Sequence, residues 1–120
     1  MFKIRAWSFE AGKAHHAVAR AEFATAAEAE AVGAVFPKSI LPKVGHTQSY
    51  NGEAQIVIVG YWVEIRVSLA PTAGNDRNET GIKRYRTFRK VAAKNGFDVE
   101  FDATNNRGWM TESEFEAAIA

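Results

Sequence analysis

The chain contains no cysteine. Disulfides, thiolate metal sites and cysteine nucleophiles are excluded together, and this suits a reducing compartment, so a cytoplasmic location is expected. No stretch approaches the roughly 20 apolar residues of a membrane helix. The N-terminal Met1-Phe2-Lys3-Ile4-Arg5 alternates charge with apolar residues where a signal peptide would be continuously apolar. No membrane contact is expected. Neither sign of charge dominates, since 15 Lys and Arg against 14 Asp and Glu leave +1. Any attraction for a polyanion must therefore come from local clustering.

Catalytic and cofactor motifs are also lacking. His15 and His16 are adjacent and point to opposite faces of a strand, His46 is distant, and no HExxH spacing exists, so the histidines form no metal set. The glycines make no dinucleotide or phosphate loop, and no serine lies in a nucleophile elbow. Glu64-Ile65-Arg66 has the carboxylate-x-cation spacing of some nucleases, but the first aspartate of the chain is Asp76, so the upstream metal ligand is missing. Asp98, Glu100 and Asp102 alternate along one segment, a spacing at which carboxylates bind Mg²⁺ or Ca²⁺ given help from elsewhere. The following Asp102–Gly108 fails as a calcium loop: Arg107 stands where glycine is required and Ser113 where the bidentate glutamate belongs. No cofactor and no enzymatic activity are expected.

What is present reads as one globular domain over residues 1–120, with 47% hydrophobic and 24% charged residues. Its spine is Gln55–Leu69. Val57, Val59, Tyr61, Val63, Ile65, Val67 and Leu69 share one parity, predicting a strand with one continuous buried face. Fifteen residues at about 3.3 Å each would overhang a domain of this size. Gly60 therefore either seats a bulge that bends a single strand, the favoured reading, or turns the stretch into a hairpin.

Around the spine, strands are expected over Met1–Phe9 and about His15–Phe23, paired as a hairpin. A helix opens at the Thr25–Glu28 capping box and runs to about Phe36, burying Val32, Val35 and Phe36 before Pro37. An edge strand over about Val44–Tyr50 reaches the spine through a two-residue Asn51-Gly52 turn, with Tyr50 opposite Glu53 and His46 opposite Val57. If it does not form, Pro37–Tyr50 is a long loop of the kind that is usually functional. A helix capped by Asp76 or Asn78 ends at Asn95-Gly96. A strand over Phe97–Phe101 and a helix from the Thr111–Glu114 capping box complete the chain. The fold class is α+β, order ββα(β)βαβα, with a mainly antiparallel sheet and helices on one face.

One charge pattern stands out. Residues 82–94 hold six Lys or Arg and no acid. At 100° per residue Lys83, Arg86, Lys90 and Lys94 form a ridge, Arg84 and Arg89 flank it, and Tyr85, Phe88 and Ala92 face the core. Like charges at this spacing repel by a few tenths of a kcal/mol per pair, so the ridge points to an anionic partner. The leading expectation is a binding protein docking Lys83, Arg84, Arg86, Arg89, Lys90 and Lys94 on nucleic acid, a nucleoprotein or an acidic protein surface. Against it stands neutralisation of the ridge by Asp98, Glu100 and Asp102. The rival is a protein-interaction module or inhibitor acting through residues 37–50 and exposed aromatics, among them Trp7, Tyr50, Trp62 and Trp109. Oligomeric state is open.

Overall fold

A computed structural model describes residues 1–10, 12–71, 77–102 and 108–120. The described residues form strands β1 (Phe2–Trp7), β2 (His16–Phe23), β3 (Lys43–Tyr50), β4 (Ile56–Ser68) and β5 (Val99–Phe101). The helices are α1 (Ala26–Gly33), α2 (Glu79–Lys94) and α3 (Glu112–Ile119), with a 3-10 turn at Lys38–Ile40. The sheet runs β3-β4-β2-β1-β5, antiparallel except for β1 and β5, which are parallel. The α+β order follows the expectation, with β5 shorter than the predicted Phe97–Phe101.

Period-two alternation gives the sheet one buried face. Phe2, Ile4 and Ala6 of β1, Ala17, Ala19 and Ala21 of β2, and Val63, Ile65 and Val67 of β4 are all buried. The alanines of β2 leave room for α2, whose Tyr85 and Phe88 lie over Ile4, Ala17, Ala19, Ile65 and Val67. Phe2, Phe36 and Phe88 pack ring to ring at centroid separations of 5.2–5.6 Å. Burial of each such ring contributes about 1.5–3 kcal/mol. On the other side of α2, Tyr85 meets Phe115 of α3 edge-on at 4.8 Å.

The helix ends follow local chemistry. Thr111 and Glu114 complete a reciprocal capping box. Asn78 caps α2 by accepting from the Gly81 amide; the alternative cap, Asp76, lies outside the described residues. Gly96 takes φ +70° just past α2, as a left-handed stop. The first helix departs from expectation: it ends at Gly33, its buried residues are Ala29 and Gly33, and Val35 is exposed. Gly33 packs over Val63, and a Cβ there would overlap the Val44 side chain.

The spine is one strand, and it bends where Gly60 allowed. Thr47 pairs with Gly60, yet Gln48 pairs with Ile58, so Val59 is an extra residue opposite β3. The predicted two-residue turn does not form. Tyr50 pairs with Ile56 and His46 with Tyr61, leaving a 51–55 loop in which the Asn51 side chain accepts from the Glu53 amide. Gly52 and Ala54 both take positive φ there. The larger correction concerns the apolar face of the spine. β2 pairs with β4 only from Tyr61 to Ser68. Residues 56–60 have β3 as their sole strand neighbour, and Val57 and Val59, expected in the core, are exposed. The molecule is elongated, 49 × 33 × 26 Å, with the β3–β4 hairpin continuing past the rest of the sheet as an arm. No helix among the described residues is long and apolar enough to cross a membrane.

Candidate interaction surfaces

The cationic ridge of α2 forms as its periodicity dictates. Ile82, Tyr85, Phe88 and Ala92 are buried, while Lys83, Arg86, Lys90 and Lys94 are exposed. Half of the six cations are nevertheless engaged within the fold. Arg86 Nη1 lies 2.7 Å from Glu116 Oε2 and Arg89 Nη2 lies 3.5 Å from Glu112 Oε1. Arg84 Nε donates to the Ser39 carbonyl at 3.2 Å. Lys83, Lys90 and Lys94 have no ion pair among the described residues.

The acids that meet the ridge come from α3 and not from β5. Asp102 lies 2.8 Å from Arg5 on the opposite face of the sheet, and Glu100 sits beside Lys3 in the parallel register. The four-residue spacing of Glu112 and Glu116 was visible as one face of a helix. What sequence could not supply was the docking of α3 beside α2. Tyr85 completes this seam by donating its hydroxyl to Glu116 at 3.2 Å. Burial pushes its pKa up to about 12, with Arg89 opposing and Glu116 adding to the rise.

The second surface is the helix-free face of the sheet, where a groove of about 750 Å³ runs over Lys3, Arg5, Val18, Arg20 and Glu64. Cross-strand register sets its chemistry. Trp7 opposes and stacks on His16 at 5.0 Å, and Trp109 meets Trp7 edge-on at 5.5 Å. Arg20 opposes Glu64, binds it at 3.2 Å and Glu22 at 2.8 Å, and lies 4.6 Å over the Trp62 ring. Arg66 reaches the other Glu64 oxygen at 3.3 Å, and Arg5 lies 5.4 Å over Trp109. Glu64, 9% exposed, is thus held by two guanidiniums. His16 has its pKa lowered, chiefly by burial and then by Arg66 and His15. Three of the four aromatics named from sequence therefore lie on this face, but each is already stacked on or capped by a neighbouring side chain. Among the described residues no three of His, Asp and Glu assemble as a metal site requires; the 103–107 part of the calcium-loop comparison lies outside them.

The third surface is the arm. Ile56, Val57, Ile58 and Val59 are consecutive and 58%, 37%, 50% and 61% exposed, and Tyr50, the fourth aromatic, is 70% exposed. Val44 and Leu41 extend the apolar surface to the base of the arm. β3 is also an edge strand, with one backbone side unpaired in the sheet. Natural edges are usually guarded by lysine or proline; here Pro42 and Lys43 stand at the base of β3, and the rest of the strand, Val-Gly-His-Thr-Gln-Ser-Tyr over residues 44–50, carries no formal charge and no proline.

No family model matches the chain, and no curated protein or solved structure shows significant similarity to it.

Proposed function

We propose that this protein is a binding module that docks on a protein surface through its β3–β4 arm. The observation that carries this reading is the run of four large apolar residues, 56–59, held in water on a strand that outreaches its sheet. In that position they add little to folding. Covering them with a partner contributes up to about 1.5–3 kcal/mol per side chain, and a contiguous exposed apolar patch of this kind marks an interaction site. The groove on the open sheet face offers less, because its arginines already bind carboxylates and rings.

A photo-crosslinking amino acid at position 58, with position 113 on α3 as an exposed control, tests the reading in the cell. Covalent adducts at 58 and not at 113 are expected. Their absence at 58 would overturn it.

A second reading is supported by Lys83, Lys90 and Lys94, which line up along α2 without carboxylate partners among the described residues and leave a cationic strip for nucleic acid or another polyanion. Arg84, Arg86 and Arg89 are held by Ser39, Glu116 and Glu112 and contribute less. With three phosphates contacted, binding to mixed-sequence DNA falls about 40-fold between about 50 and 200 mM salt. Binding that survives reversal of all three lysines to glutamate would sink this second reading.

A further inference from the structure

We infer that the occupant of the arm is a second copy of this chain, joined through antiparallel pairing of β3 with its own counterpart. The inference rests on reading the arm as a docking surface and names what docks there. Three features of the edge point to self-pairing.

The first is charge. When a strand pairs with itself across a two-fold axis, a charge close to the axis faces its own copy, which is destabilising. Residues 44–50 carry none and Lys43, the one charge of β3, stands at the end of the strand, so the segment is compatible with itself.

The second is phase. Opposed residues in an antiparallel ladder must both present, or both withhold, their hydrogen-bonding groups. In identical strands this requires one residue to sit opposite itself. β3 satisfies the condition along its length, because the extra residue of the bulge is Val59 on β4. Centring on Thr47 sets Val44 opposite the partner's Tyr50, Gly45 opposite the partner's Ser49 and His46 opposite the partner's Gln48. The exposed apolar groups at the two ends of the strand then cover one another. The 51–55 loop at the tip of each arm comes to lie along the base of the other near Leu41, because position 53 stands opposite position 41 in this register.

The third is extent. Pairing at the free edge of β3 draws on residues 41–55, about 15 from each chain, below the roughly 20–30 of a standard interface and in keeping with a weak dimer.

Sedimentation velocity on the full chain tests this, with Thr47→Lys and Thr47→Glu as probes. Thr47 is exposed, but its hydroxyl accepts from Arg20 at 3.4 Å, so the circular dichroism and unfolding midpoint of each variant are compared with wild type first; if either fails to fold, Gln48→Lys and Gln48→Glu replace them. Wild type is expected to dimerise within about 1–100 µM. Each variant alone should associate at least tenfold more weakly, and an equimolar mixture of the two should regain the dimer, because opposite charges then face each other. A wild-type chain that stays monomeric throughout overturns the inference, as does a dimer indifferent to both substitutions. Adducts at position 58 to a different protein would in that case leave the docking reading standing; no adducts would remove both.

Discussion

Gly45 of β3 lies flat against the indole of Trp62, its partner on β4, and a Cβ on residue 45 would overlap the ring. The Arg20 guanidinium covers the ring at 4.6 Å, so the ring can give way only by leaving that contact. The arm therefore leaves the sheet at a fixed place, with the indole closing the open face beneath its base. Gly45→Ala should force Trp62 off Arg20 and destabilise the fold by about 1–3 kcal/mol. A lower urea midpoint at unchanged slope is the expected signature.

Gly81 makes a closer approach still. A Cβ there would run into the Ser68 carbonyl at the end of β4. In an isolated helix Gly→Ala gains about 1 kcal/mol, but here the overlapping atom is backbone and cannot swing aside. Gly81→Ala should therefore lower the midpoint despite its better helix propensity. Asn78→Ala, which removes the cap on Gly81 and a hydrogen bond to the Ala70 carbonyl, should cost about 1 kcal/mol.

Much of this framework is legible in the sequence because its causes are local. The capping threonines, the Asn78 cap, the Gly96 stop and the turning of Tyr85 and Phe88 toward the core all follow from spacing along one element. The arm is not legible in the same way. Val57 and Val59 have the same period as Val63 and Val67, and period reports which side a residue faces but not whether anything covers that side. Coverage depends on β2 stopping opposite Tyr61, a relation between segments remote in the chain. The neutralisation of Arg86 and Arg89 is the same case. The glutamates are plain in the sequence of α3, and only packing brings them to α2.

Stability should depend on pH at both extremes. Tyr85 titrates near 12 in the fold and near 10 when unfolded. Between those values the folded state holds the extra proton, so stability falls as pH rises, by at most about 1.4 kcal/mol per pH unit. Tyr85→Phe should abolish that slope. His16 has its pKa lowered in the fold, so its contribution is complete above the unfolded value of about 6.5 and declines as pH drops below it. Urea midpoints followed against pH measure both limbs, and a flat profile above about pH 10 would contradict the burial of Tyr85.

Amide hydrogen exchange in dilute and concentrated solution tests most directly the claim that the arm is a docking surface for its own copy. The amides of residues 44–50 should exchange more slowly as concentration rises, while those of β1 and α2 keep the same rates. Identical exchange of β3 at every concentration would contradict it.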